Sequence, residues 1–148
     1  MRRAIDETRI DPARLCIEIT ESALLAGDDA TRELAAVKAC GVRLALDDFG
    51  TGHSSLSYLR HLDLDILKID RSFVDGVCSD EHDTAIVTAI VKLAESLGLT
   101  TVGEGVETEE QAAALSALGC QQAQGFWCSK AVGADEYASL LGARSAPG

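Results

Sequence analysis

Several features that commonly identify a class of protein are missing from this sequence. The five cysteines form no CxxC pair, which disfavours a cysteine-ligated metal site and a secreted disulfide framework. No apolar run approaches membrane-spanning length, and the N-terminus lacks the apolar core of a signal peptide. A basic stripe is also absent, and the net charge of −11 argues against nonspecific binding to a nucleic-acid polymer. These absences predict a cytoplasmic protein with reduced, mostly buried thiols.

The composition itself is that of an ordinary globular domain. Hydrophobic residues make up 47% of the 148 positions and charged residues 25%, which is enough for one domain with a real core. The negative charge does not exclude a small phosphate ligand, because a bound metal ion inverts the local sign.

Strand patterns alternate with helix patterns along the chain. The predicted strands are Leu15–Thr20, Val42–Asp47, Asp65–Ile69, Thr100–Glu104 and Gln121–Gly125. The predicted helices run from about Asp29 to Cys40, then over Ser54–His61, Glu81–Leu97, Glu109–Leu118 and Ala134–Leu141. Five alternating units of this kind indicate a parallel sheet covered by helices. No linker interrupts residues 1–148, and only residues 144–148 look like a frayed tail.

Two adjacent carboxylates, Asp47 and Asp48, end the second predicted strand and precede a glycine-rich turn. Like charges side by side repel, and desolvating them is costly, so a cation between them is favoured. Hard oxygen ligands point to Mg²⁺ or Mn²⁺ rather than zinc. Taken alone, however, the segment is better explained as an Asp-Gly turn with solvated carboxylates.

Other predicted strands also end on polar side chains. These residues are Glu18 and Glu21, Asp47 and Asp48, Lys68 and Asp70, Glu104 and Glu107, and Gln124. In the first strand, Glu18 shares a face with Cys16 and Thr20, while the other face is apolar. In a β/α barrel, ligands and catalytic groups sit at the carboxyl ends of the strands. The pattern therefore predicts one site that several strands share.

Each of these residues alone has a simpler interpretation. Lys68 fits a surface lysine, Glu104 an acid near a helix start, and Gln124 a turn residue. The Glu81-His82-Asp83 run suggests a phosphohydrolase metal site, but an acidic first helical turn explains it better. Jointly, several acids at buried strand ends without a cation would be strongly destabilising.

The motifs that carry these residues resemble the EAL domain family from about Leu15 to Leu141. They are Glu18-Ile19-Thr20-Glu21, Asp47-Asp48-Phe49-Gly50-Thr51-Gly52, Lys68-Ile69-Asp70, Glu104-Gly105-Val106-Glu107 and Gln124-Gly125-Phe126. The resemblance implies an α/β fold, a partial TIM-like barrel of about five parallel β/α units. Residues 1–148 would then be the C-terminal part of one EAL domain, without its N-terminal barrel strands.

The resemblance also implies an activity and a set of roles. It implies a cyclic-di-GMP phosphodiesterase that yields linear pGpG by two-metal catalysis with Mg²⁺ or Mn²⁺. Glu18, Asp47 and Asp48 would bind metal. Glu104, Lys68 and Gln124 would be catalytic, Glu21 and Glu107 would brace loops, and Asp70 would bind substrate. It allows for a homodimer through the loop after Asp48 and for upstream sensory or cyclase domains.

The sequence departs from the family pattern in two main places. It contains no Glu-Ala-Leu triplet and no asparagine, whereas the family uses that glutamate and an asparagine as metal ligands. A complete barrel has eight strands and ~250 residues. Two interpretations remain open, a truncated phosphodiesterase with weak activity of its own and a non-catalytic binding or regulatory remnant.

Overall fold

Five parallel strands form the centre of the fold. The computed structural model describes residues 1–20, 28–50, 59, 62–137 and 139. The strands are β1 (Cys16–Thr20), β2 (Arg43–Phe49), β3 (Ile66–Ile69), β4 (Thr100–Gly103) and β5 (Gln122–Ala123). They lie side by side in chain order, each parallel to the next. Such consecutive order is the arrangement of a β/α barrel, so the predicted partial barrel of five parallel units is confirmed.

Helices and one 3₁₀ turn precede and connect the strands. They are α1 (Arg2–Thr8), the 3₁₀ turn Pro12–Arg14, α2 (Asp28–Lys38), α3 (Arg71–Gly76), α4 (Glu81–Leu97) and α5 (Glu109–Ala117). Residues 134–137 and 139 are also helical. Of the helix predicted over Ser54–His61, only Leu59 is described and it is helical, whereas the predicted tail 144–148 lies outside the described residues.

Local sequence signals fix the ends of the two best-defined helices. Asp80 caps α4 by accepting a hydrogen bond from the His82 amide at 2.7 Å, and Gly98 ends the helix with a φ of 71°. A reciprocal capping box between Thr108 and Gln111 begins α5, as its sequence predicts. These caps determine where each helix leaves the sheet.

The two faces of the sheet differ in composition. The helix-facing side is the main core, in which Leu44, Leu46, Leu67 and Ile69 pack with Val74, Val87, Ile90 and Leu115. The inner side has a small apolar cluster of Ala45, Ile66 and Val102, with half-buried Cys16 against it. Because side chains alternate along a strand, each strand contributes to both sides. The inner side therefore has room for polar groups.

A bulge near the end of β2 changes this alternation. Leu46 pairs with Leu67 and Phe49 with Ile69, so the β2 segment holds one residue more than its partner, and Asp48 adopts a φ of 55°. Aspartate tolerates this left-handed conformation better than most residues. The bulge leaves Phe49 buried with the helix-facing core instead of on the inner side.

The prediction of mostly buried thiols is wrong in part. All five cysteines are free, but Cys120 alone is buried, while Cys78 and Cys128 are exposed. The exposed thiols lie in turns after α3 and β5, where no core packs against them. Within the described residues, no helix has the length and apolar character needed to cross a membrane.

Candidate active site

A buried lysine forms the centre of the inner side. The Lys68 side chain is 4% exposed, and its Nζ lies 2.8 Å from Glu18 Oε2, 3.0 Å from Asp47 Oδ1 and 2.6 Å from Glu104 Oε1. Four adjacent strands supply these residues, with Glu104 directly after β4. The sequence predicted this convergence at the carboxyl ends of the strands, and the structure brings the four side chains together.

Small inner-face residues make space for the cluster. Ala45 lies beside Glu18 in the register of β1 and β2, and Val102 lies beside Lys68 in β3 and β4. A cleft of about 180 Å³ opens along this side, lined in part by Glu18, Lys68 and Gln124. Glu18 and Lys68 therefore face a cavity rather than the main core.

Three carboxylates share the single ammonium group of Lys68, and this sharing shifts the pKa values of Lys68 and Glu104. Burial alone would lower the pKa of Lys68, but hydrogen bonds to Glu104, Glu18 and Asp47 outweigh it and raise that pKa. Burial raises the pKa of Glu104, and Asp47 adds to the increase, while Lys68 opposes it. Lys68 is thus fully charged at neutral pH, and the acids around it retain excess negative charge.

The bulge in β2 brings a further carboxylate to the site. Ligand oxygens of Asp47, Asp48 and Glu104 lie within 4.8 Å of one another. Regular alternation would turn Asp48 to the helix-facing side, so the bulge is what groups these neighbours. Partial burial, together with Asp47 and Asp70, raises the pKa of Asp48.

The chemistry of this group fits a divalent cation. Closely spaced carboxylate oxygens with net negative charge are ligands that Mg²⁺ and Mn²⁺ accept. The grouping differs from the predicted ligand set in one member, because Glu18 meets the other acids through Lys68 and lies outside the oxygen group. Alternation along the strands could not distinguish Glu18 from Glu104 as a ligand. Both occupy inner-face positions, Glu18 within β1 and Glu104 directly after β4.

The remaining predicted residues occupy different positions. Gln124 lines the cleft. Its backbone amide donates to the Gly103 carbonyl at 2.8 Å, and its backbone carbonyl accepts from the Val106 amide at 3.0 Å. Asp70 caps α3 by accepting from the Ser72 amide at 2.9 Å. Its side chain therefore has a structural task whatever else it contacts.

Glu107 pairs with a residue that the motif analysis missed. Its Oε1 lies 2.8 Å from Nη2 of Arg71, the first residue of α3. The sequence carries no local signal for this pairing, because it joins the start of α3 to the turn after β4, which are far apart in the chain. Glu21, the other predicted loop-bracing residue, lies outside the described residues, as does most of the loop after Asp48.

Comparisons with known proteins identify the family of this chain. The family model described as "EAL domain" matches residues 1–131. The bifunctional diguanylate cyclase/cyclic di-GMP phosphodiesterase MucR of Pseudomonas aeruginosa is 43% identical over 137 residues, which are 92% of this chain and 20% of that protein. The chain spans about a fifth of the length of the curated relatives it matches.

Solved structures show the same fold. The EAL domain of Mycobacterium smegmatis DcpA superposes with a TM-score of 0.89 at 42% identity, covering 99% of this chain and 66% of that one. A manganese and cyclic-di-GMP complex of Klebsiella pneumoniae BlrP1 superposes with a TM-score of 0.77 at 36% identity, covering 84% of this chain and 32% of that one.

Proposed function

This chain belongs to the EAL domain family, and on that premise we propose that it forms the C-terminal part of a cyclic-di-GMP phosphodiesterase domain. The reaction would hydrolyse one phosphodiester bond of the cyclic dinucleotide and release linear pGpG. The observation that carries the proposal is Lys68, held by three carboxylates from neighbouring strands beside an open cleft. MucR, which resembles this chain, is named as a cyclic di-GMP phosphodiesterase, and the similar BlrP1 forms a complex with manganese and cyclic-di-GMP.

The acids of the site supply the ligands for a divalent cation, Mg²⁺ or Mn²⁺. We assign Glu18, Asp47 and Asp48 to metal binding, and the position of Glu104 beside Asp47 and Asp48 supports a contribution from it as well. Such ions, when bound, neutralise charge on a phosphodiester and lower the pKa of a coordinated water.

The protein's own polar groups would orient the reactants. Lys68 is buried and charged, and its ammonium group can donate to a phosphate oxygen or an attacking water in place of one of its three carboxylate partners. The pKa of Glu104 is raised by burial, so this carboxyl group can hold a proton more readily than an ordinary glutamate. Gln124 lines the same cleft and can contact the substrate there.

The remaining assignments complete the proposal. Glu21 and Glu107 would brace the loops around the site, and Asp70 would contact substrate in addition to capping α3. The loop after Asp48 would form a homodimer contact, and sensory or cyclase domains would precede this segment in a longer polypeptide. The description of MucR as bifunctional supports that arrangement.

The proposal is tested by incubating the protein with cyclic-di-GMP and Mg²⁺ or Mn²⁺ and measuring the pGpG formed by chromatography. We expect the 148-residue chain alone to be orders of magnitude slower than an ordinary enzyme, because the family's Glu-Ala-Leu and asparagine ligands are absent from it. A chain extended at its N-terminus with the remaining barrel units of a relative should regain turnover. Normal turnover by the chain alone would contradict the need for those units.

The extended chain also tests the assignment of Asp47. Asp47→Asn keeps the shape but removes a charge that binds metal, so turnover should be lost. Asp63→Asn is the matched control, because Asp63 is exposed at the amino end of β3, away from the site. Normal turnover by the Asp47→Asn variant would show that Asp47 is not a ligand. Cyclic-di-GMP binding without turnover in the extended wild type would favour the non-catalytic alternative.

A further inference from the structure

The turn that carries Glu104 is held on one side by Arg71. Arg71 Nη2 lies 2.8 Å from Glu107 Oε1, and Arg71 Nε lies 3.2 Å from Asp75 Oδ2. Asp75 belongs to the same helix as Arg71, whereas Glu107 lies in the turn between β4 and α5. The guanidinium group therefore links the end of β3 to the turn after β4.

The stem of Arg71 packs against the middle of this turn. A Cβ added to Gly105 would lie 2.5 Å from Cγ and 2.7 Å from Cδ of Arg71, and Gly105 adopts a φ of 67°. Only glycine fits both the conformation and the space. The methylene stem of Arg71 thus covers the residue that directly follows Glu104.

Backbone hydrogen bonds fix the other sides of the same turn. The Glu104 amide donates to the Ile69 carbonyl at 3.0 Å, and the Val106 amide donates to the Gln124 carbonyl at 3.0 Å. Gln111 Oε1 accepts from the Glu107 amide at 2.8 Å. Hydrogen bonds therefore hold the backbone of the turn at Glu104, Val106 and Glu107, and Arg71 packs on its solvent-facing side.

We propose that Arg71 is a positioning residue, which holds the Glu104–Glu107 turn so that the Glu104 carboxylate meets Lys68 and the acids of β2. The guanidinium pairs with Glu107, and the stem rests on Gly105, so one side chain holds the middle of the turn and its far end. Arg71 acts through these residues and not on the substrate. The inference rests on the proposed function in one respect, namely that Glu104 belongs to the active site.

Two NMR measurements on the 148-residue chain without metal test the positioning. Amide hydrogen exchange of Glu104 and Val106 reports the turn, and the ¹³C shift of the Glu104 carboxyl group reports the side chain. In Arg71→Leu we expect several-fold faster exchange at both amides and a changed carboxyl shift. The Arg43 and Thr100 amides, which bond at the opposite end of the sheet, should keep their rates.

Further variants separate the ion pair from other effects. Glu107→Gln should produce the same faster exchange and the same change in the Glu104 carboxyl shift. It replaces Arg71→Leu as the test variant if Arg71→Leu does not fold. Arg71→Lys keeps the charge and most of the stem but loses the fork of the guanidinium group, so it should restore the wild-type signals in part. Lys92→Leu is the matched control, because it breaks an exposed pair with Glu95 on α4.

A third measurement tests whether the position of the turn affects the metal site. Electron paramagnetic resonance gives the affinity of the wild type and of each variant for Mn²⁺ alone. Loss of Arg71 should weaken Mn²⁺ binding about 10-fold, which is typical when a residue that orients a metal ligand is removed. Unchanged exchange at Glu104 and Val106, equal acceleration at all amides, or an unchanged Glu104 carboxyl shift would each overturn the inference. So would unchanged Mn²⁺ affinity in a variant whose turn has loosened.

Failure of the proposed function would look different. If the N-terminally extended wild-type chain binds no Mn²⁺ but the Glu104 signals still respond to Arg71→Leu, the positioning by Arg71 stands. The metal-binding part of the proposed function would then be wrong.

Discussion

The helix-facing side of the sheet buries Leu44, Leu46 and Leu67, whereas the inner side carries Asp47 and Lys68 on the same strands. On the first side, apolar burial stabilises the fold in proportion to the area removed from water. On the second, charges are partly desolvated and share too few counterions. Neighbouring residues of one strand thus serve stability and function separately, because alternation sends them to opposite sides.

The largest effect should come from the helix-facing side. Leu67→Ala leaves a cavity in the main core, where Leu67 is fully buried, and should lower the free energy of unfolding by about 3 kcal/mol. Urea denaturation measures this value. The control Leu97→Ala removes a leucine that is 38% exposed at the end of α4 and should cost less than about 1 kcal/mol. Equal losses in the two variants would remove the distinction between core and surface.

A smaller loss is expected from the neighbouring residue on the inner side. Lys68→Met removes the cation that three acids share and should cost about 2 kcal/mol at pH 7, since Glu18 stays accessible to water. This loss should shrink as the pH falls and the acids become protonated. Lys92→Met, which breaks an exposed ion pair, should cost less than about 1 kcal/mol.

The pH dependence of Lys68 has a definite sign. Because the folded-state pKa lies above the ordinary value of 10.5, the stabilisation is complete below 10.5 and is lost as the pH rises through the folded-state pKa. Denaturation at alkaline pH should show this decline in the wild type and not in Lys68→Met. A loss in Lys68→Met that stays constant from pH 4 to alkaline pH would contradict a charge-based role.

The smallest expected effect is a gain in the free energy of unfolding, and it concerns Glu104. The folded-state pKa of Glu104 is raised, so protonation favours the folded state, and this contribution is lost as the pH rises from the ordinary 4.5 through the folded-state value. Glu104→Gln mimics the protonated form and should increase the free energy of unfolding by about 0.5 kcal/mol at pH 7.

The pH also provides the check on this prediction. Below pH 4.5, Glu104 is protonated in the folded and unfolded states alike, so the gain from Glu104→Gln should disappear. Glu136→Gln, at an exposed acid near the end of the described chain, is the control and should produce no such gain. A loss of stability in Glu104→Gln at pH 7 would show that its pairing with Lys68 outweighs its desolvation.

Much of the fold follows from short-range patterns in the sequence. The helix predicted over Glu81–Leu97 has the same bounds in the structure, since its cap and its final glycine are both local signals. The prediction that Glu18 and Lys68 share the inner side also follows from alternation along the strands. The consecutive order of the five strands is that of the partial barrel which the strand-helix repeat and the family resemblance predict.

Other features depend on contacts that the sequence pattern does not contain. The short helix Arg71–Gly76 was not predicted, because six residues give too little periodicity to recognise. The bulge in β2 is set by how β2 pairs with β3, so the position of Asp48 among the acids needed the structure. The pairing of Arg71 with Glu107 likewise joins two turns that are far apart in the chain.

The bulge in β2 also bears on the accuracy of folding. If β2 slid by one residue against β3, the two sides of the strand would be exchanged. Phe49 would then enter the polar cleft, and Asp48 would be pressed against the apolar core. Both errors cost free energy at once, so a shifted alignment is disfavoured at the point where Asp47 and Asp48 are placed. An extra residue that interrupts the sheet thereby protects the site against misassembly.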